Sequence, residues 1–160
     1  MEFQRNIDVL SSSSVIESVL RQLCDITGMG FAAVARVTET RWIACQVLDR
    51  IDFGLDPGDE LKISETICQE IRDSGEAVVF DDASTDIKWS RHPVPVIYGF
   101  KSYCSFPIYL EDGSFFGTLC AIDPNARNVT DEAITAMFSD FAGRIGVIIS
   151  ESMKGQATAA

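Results

Sequence analysis

"SYCSFPIYLEDGSFFGTLCAID", residues 102–123, holds two β-rich runs on either side of Asp112-Gly113. An Asp-Gly pair readily adopts the left-handed backbone of a tight antiparallel turn, so the stretch predicts two neighbouring strands. Pro107, inside the first run, marks an edge position or a bulge, because proline cannot donate to a ladder. With a two-residue loop, Glu111 faces Ser114 and Cys104 faces Ala121. With a loop of Glu111 to Gly113, Cys104 faces Cys120 instead. The two-residue loop is the expectation, and with it no Cys104–Cys120 disulfide.

Upstream, "FAAVARV" (31–37) and "RWIACQVL" (41–48) read as a first hairpin, and "AVVF" (77–80) as a short strand ending at Asp81 and Asp82. Helices punctuate these strands. Ser14 and Glu17 have capping-box spacing, followed by Ile16, Val19, Leu20, Leu23 and Ile26 on one face, with Gly28 and Gly30 as the stop. That places a helix over 12–29. Ser64 is expected to cap a second, "ETICQEIRDSG", which Gly75 ends. Thr130 is expected to cap the last, over 130–153, with residues 154–160 as a disordered tail. In it Ile134, Phe138, Phe141, Ile145 and Ile148 are spaced 4-3-4-3, a heptad pattern. Between Asp82 and Ser102 runs the longest irregular connection, where Pro93 and Pro95 disfavour regular structure. The order defines an α+β class built on an antiparallel sheet. The terminal helices should cover one face, and the short helix with the 83–102 loop the other.

A chain of 160 residues suits one compact domain. Acids outnumber bases 24 to 13, a balance that opposes binding to nucleic acid or to an anionic membrane. No apolar run is expected to reach the roughly 20 residues that span a bilayer. "MEFQRNIDVLSSSS" lacks the basic-then-apolar order of a signal peptide, so a cytosolic location is expected. Cys24, Cys45, Cys68, Cys104 and Cys120 are widely spaced, without a CxxC pair and with a single histidine in the chain. They read as small core residues rather than a zinc site. The acidic run "DRIDFGLDPGDE" (49–60) lacks the alternating ligands of a calcium loop and reads as a solvated surface loop.

Three portions, "LKISETICQEIRDSGEAVVFDDASTD" (61–86), "HPVPVIYGFKSYCSFPI" (92–108) and "DGSFFGTLCAIDP" (112–124), together resemble a GAF domain. The variant is the one found N-terminal in bacterial histidine kinases and, less often, diguanylate cyclases. The resemblance implies a small-molecule pocket between the sheet and its covering helix and loop. It places Cys68 on that helix, Asp81 at the strand end, and Trp89, His92 and Tyr98 in the lid. Tyr103, Ser105 and Cys120 fall on the strands beneath. It also implies a homodimer through the terminal helices, by way of Ile16, Leu20, Ile134, Phe138, Phe141, Ile145 and Ile148. Those helices would pass a signal to a downstream output domain, so the chain reads as a sensor fragment rather than an enzyme.

Two rival readings attach to particular residues. Cys68 lies near a helix N-terminus, where a thiol can ionise more readily, and free methionine sulfoxide reductases are also GAF proteins. Their further lid cysteine has no counterpart, since residues 91–103 contain none. A pocket filled by its own side chains would instead leave a ligand-free dimerisation module. A covalent bilin is not expected, because no Cys-His pair exists and no cysteine lies in 81–103. An unidentified small molecule is the open possibility. His92, directly before Pro93, is expected to brace the loop through a backbone hydrogen bond.

Overall fold

A computed structural model describes residues 2–62 and 66–159, with side chains for 4–62 and 66–154. The expected cap Ser64 lies outside the described residues. Strands β1 (Phe31–Val37) and β2 (Arg41–Asp49) form the first hairpin, and β5 (Ser102–Tyr109) and β6 (Phe115–Asp123) the second. β1 pairs with β6 and joins them. Two short strands complete the edges, β3 (Glu60–Lys62) on β2 and β4 (Val78–Phe80) on β5. All pairs are antiparallel, in the order β3-β2-β1-β6-β5-β4. β3 was not foreseen, because three residues in an acidic loop carry no strand period.

The second hairpin corrects the expected loop yet keeps the expected register. Leu110 and Ser114 close a loop of Glu111, Asp112 and Gly113, with Gly113 left-handed at φ 86°. That loop alone would set Cys104 opposite Cys120. One step further on, Ile108 pairs with Gly117 and Tyr109 with Phe115, so Phe116 is an extra, bulged residue. The bulge shifts the ladder back by one, and Cys104 pairs with Ala121.

The helices show further corrections. The N-terminal segment forms α1 (Glu2–Ser11), which buries Leu10, before α2 (Ser14–Thr27) begins. Ser13, not Ser14, caps α2 by accepting the Ile16 N–H at 3.3 Å. The connection over 83–102 is not irregular: it contains a 3-10 turn at Trp89–Arg91 and α4 (Pro93–Tyr98). Pro93 begins that helix, where its missing N–H costs nothing, and His92 Nδ1 accepts the Val94 N–H at 3.2 Å. His92 is thus a cap, in keeping with the bracing expected of it. Between these elements, α3 (Cys68–Ser74) starts later than the expected run from Glu65, with Thr66 and Ile67 outside it, and ends at left-handed Gly75 as expected.

The last helix, α5 (Glu132–Ala159), is begun by Asp131, whose carboxylate accepts the Ala133 and Ile134 N–H groups. Thr130 has another partner, given below. α5 passes its expected end at Met153 and continues through the supposed tail, where Gln156, Ala157 and Ala159 are compatible with helix. Contrary to the expected lack of a long apolar run, Glu132–Lys154 is long and apolar enough to cross a bilayer. Its apolar stripe is occupied by the fold, however: Phe138, Ala142, Ile145 and Ile149 are buried in the core.

Strand alternation divides that core into two layers back to back. Val34, Cys104, Leu119 and Ala121 face the terminal helices, while Ala33, Tyr103, Cys120 and Ile122 on the same strands face α3 and α4. The expected dimer residues must therefore be corrected. Ile16, Leu20, Phe138 and Ile145 are fully buried within the chain, Phe141 is 8% exposed, and Ile134 and Ile148 pack partly against the same core. The heptad stripe faces the sheet. Burying each such side chain contributes about 1.5–3 kcal/mol, which makes their exposure to a partner costly.

Candidate functional site

The face away from the terminal helices holds a partly open cavity of about 50 Å³. Its floor is β1, β2, β5 and β6, which supply Phe31, Trp42, Tyr103, Cys120 and Ile122. Ile67 and Cys68 at the start of α3 form one wall. Val94, Tyr98 and Phe100 of the α4 segment form the roof. Phe53 and Leu55 close the remaining side. These last two correct the reading of 49–60 as merely solvated: Asp52, Asp56, Asp59 and Glu60 are exposed, but Phe53 and Leu55, at spacing two, point into the fold. Trp42, Phe53, Val94 and Phe100 were all missed. The alternation of "RWIACQVL" carried a signal for Trp42, since Trp42 and Ala44 share one face.

One polar group anchors the interior. The Cys68 thiol, 3% exposed, accepts the Trp42 Nε1–H at 3.3 Å. It also lies 3.3 Å from the Thr118 hydroxyl and 3.8 Å from the Tyr103 hydroxyl. Burial pushes the Tyr103 phenol well above its usual pKa, with the Cys68 and Cys120 thiols adding to the effect. Burial likewise raises the Cys120 thiol, helped by Cys68. Tyr103 and Cys120 therefore present protons, not charge, at physiological pH. Among the described residues, no ionisable carboxylate, lysine or arginine lines the cavity.

Of the eight expected ligand residues, Cys68, Tyr98, Tyr103 and Cys120 meet at this cavity, and four do not. Asp81 faces the opposite end of its strand. Its carboxylate accepts the Val129 N–H at 2.7 Å, the Thr130 N–H at 3.0 Å and the Thr130 hydroxyl at 2.9 Å. It pins the approach to α5 and is consumed by that task. Trp89 stacks on Phe80 at 5.1 Å, and Phe80 in turn stacks on Tyr103 at 5.4 Å, so Trp89 stands one ring behind the cavity. His92 caps α4 and points Nε2 toward Glu70, 3.9 Å away. Ser105 shares the cavity face but is buried between its strand partners Val78 and Cys120.

A covalently attached tetrapyrrole does not fit these residues: neither cavity thiol, Cys68 or Cys120, is followed by a histidine, and neither lies in the α4 segment. Nor does the site hold a second lid thiol for a reductase relay, because Cys104 belongs to the other core layer.

An antiparallel sheet with helices on one face and a roofed cavity on the other defines a class of compact α+β sensory fold. The chain belongs to the GAF domain family, whose model matches residues 12–149. GAF domains are sensor modules of signalling proteins. No curated protein is a significant match to the chain. Solved structures share the fold at low identity. The GAF domain of an Acinetobacter phosphoenolpyruvate-protein phosphotransferase is 15% identical over 97% of this chain and 94% of that one, with a TM-score of 0.68. The blue-light-absorbing form of the Thermosynechococcus elongatus PixJ GAF domain is 10% identical, covering 99% and 92%, at 0.69. A domain assigned to a two-component sensor histidine kinase of Sinorhizobium meliloti 1021 is 13% identical, covering 94% and 99%, at 0.66.

Proposed function

We propose that this chain is the sensor domain of a signalling protein, binding a small molecule in the cavity between the sheet and α3–α4. Occupancy would be relayed through α2 and α5 to a downstream output domain. The observation that carries the reading is the shared sheet. Tyr103, Cys120 and Ile122 border the cavity, and their strand neighbours Cys104, Leu119 and Ala121 pack against the terminal helices. A shift of the floor therefore moves the helix bed with no intervening layer, which is what a population-shift sensor needs. Parent proteins of the histidine kinase or diguanylate cyclase type fit this role, as does a bacterial, cytosolic setting in which five unpaired cysteines stay reduced.

Native mass spectrometry of the purified protein tests the reading. A retained small molecule, lost on denaturation, is the expected result; a bare chain from every preparation and after exposure to metabolite extract would overturn it. The small size of the cavity favours one rival, a ligand-free module whose side chains fill the pocket, and that second outcome is its signature.

The homodimer is proposed on the outer edge of the heptad stripe, where Phe141 and Ile148 border a groove that Phe138 and Ile145 do not reach. The outer side of the terminal helices exposes Val15 at 55% and Val147 at 41%, flanking a groove between α2 and α5. A second copy packing its own α2–α5 face there would cover these residues symmetrically.

A further inference from the structure

Outside the cavity, between the 51–55 segment and the end of α4, lies an open cleft of about 460 Å³. Cavity and cleft are two sides of one wall, since Phe53, Leu55, Leu61, Tyr98, Phe100 and Ile122 border both. Phe53 and Tyr98 are the half-buried aromatic members of that wall. The Phe53 ring lies 6.0 Å from that of Tyr98 and 4.9 Å from that of Phe31 at the back of the cavity. Each stands beside backbone in the left-handed region. Phe53 sits between Asp52 at φ 56° and Gly54 at φ 97°, and Tyr98 precedes Gly99 at φ 71°. The foot of the first segment is fixed: the Asp49 carboxylate accepts the Ile51, Phe53 and Gly54 N–H groups at 3.1, 3.0 and 2.9 Å.

Resting on the sensor reading above, we propose that Phe53 and Tyr98 form a gate, and that the ligand behind it is a neutral, planar, mainly apolar molecule with one hydrogen-bonding group at its inner end. Swinging the two rings aside joins cavity and cleft into a chamber of about 500 Å³, within the roughly 300–1,000 Å³ of small-molecule sites. Planarity follows from the aromatic surfaces of Phe31, Phe53, Tyr98 and Phe100, which favour a flat face against theirs. The inner hydrogen bond falls to the Cys68 thiol and Tyr103 hydroxyl, the polar groups at the closed end. Neutrality follows from charge. Among the described residues no cation borders either space. Asp52, at the outer cleft, repels anions. An ion of either sign carried inside would be buried unpaired, at high cost, since no described carboxylate, lysine or arginine lines the cavity.

Indole and indole-3-carboxylate are flat probes that differ by one carboxylate, and neutral indole-3-carboxamide, of nearly the same size as the carboxylate, separates charge from bulk. The chain has two tryptophans, so the indole N–H resonances report two places. Trp42 lies on the cavity and Trp89 behind Phe80. Titration of indole into the intact chain should shift the Trp42 signal and leave that of Trp89 in place. The carboxylate should bind roughly tenfold or more weakly than the carboxamide, because its charge finds no partner. Phe53→Ala should speed exchange at Trp42 by roughly tenfold if ring motion limits access, and Tyr98→Ala should act in the same direction should the first variant unfold.

Equal binding of carboxylate and carboxamide would overturn the ligand class. Exchange unaltered in both folded variants would overturn the gate. Absence of binding by any of the probes, in wild type and in Phe53→Ala, would overturn the proposal as a whole. A charged molecule found in the native mass spectrum would sink this inference while leaving the sensor reading intact.

Discussion

Ser150 of α5 holds Glu111 at the tip of the second hairpin. Its hydroxyl accepts the Glu111 N–H at 3.0 Å and donates to the Gly146 carbonyl at 2.9 Å. One turn on, Lys154 meets the Glu111 carboxylate at 2.7 Å. One turn back, Gly146 lies so close to the Tyr109 carbonyl that no Cβ fits between them. Residues 146, 150 and 154 thus fasten α5 to the far end of β5, whose near end carries Tyr103 into the cavity floor.

Gly146→Ala tests that fastening because two effects oppose. Alanine is the better helix former by about 1 kcal/mol, yet its methyl must displace the Tyr109 carbonyl, at a cost of about 1–3 kcal/mol. A net loss in urea denaturation is expected; a gain would mean that helix and strand are not in contact. Ser150→Ala should lose about 1–2 kcal/mol by orphaning the Glu111 N–H.

Asp81→Ala removes three hydrogen bonds to Val129 and Thr130. Stability should fall by about 2–3 kcal/mol, while the Trp42 response to indole stays as in wild type. A lost response in a folded variant would return Asp81 to the ligand site.

Acid should loosen the gate through Asp49. Burial alone would raise its pKa, but hydrogen bonds from the Gly54, Phe53, Ile51 and Asp52 backbone outweigh it and hold the carboxyl below its ordinary value. Its folded pKa is depressed, so its contribution to stability is present above the ordinary aspartate value, about 3.9, and is lost as pH falls through the folded one. Asp49→Asn should remove that part of the acid dependence. Hydrogen exchange at Phe53 and Gly54, compared between wild type and variant from pH 5 downward, measures it.

Val147→Glu and Ile145→Glu separate interface from core. The first places charge on the exposed α2–α5 groove and should yield a folded monomer in sedimentation. The second places charge at a site with no exposure and should abolish folding. A dimer that survives Val147→Glu would exclude this face.

Much of the fold was legible because its signals are local. Asp112-Gly113 marked the second hairpin, Gly28 and Gly75 ended their helices in left-handed conformations, and the 4-3-4-3 spacing identified the buried side of α5. What escaped was relational. The heptad showed that Phe138 and Ile145 would be buried, but no spacing says whether sheet or second copy covers them. Asp81 looked like a pocket residue because its tie to Thr130 spans 49 positions. Phe53 was hidden by acidic neighbours, and its role depends on contact with Phe31 and Tyr98 from other parts of the chain. Cys68, Tyr98, Tyr103 and Cys120 were placed correctly through the resemblance, since strand alternation alone allowed either face.

The extra residue in the hairpin loop and the extra residue at Phe116 cancel. Between them only Tyr109, Leu110, Ser114 and Phe115 feel the offset. The tip therefore has slack in its length: a one-residue deletion there can be absorbed by flattening the bulge, leaving Tyr103 and Cys120 in place. A chain shortened by one residue where α5 is attached would thus keep the pairing that sets Tyr103 and Cys120 at the cavity.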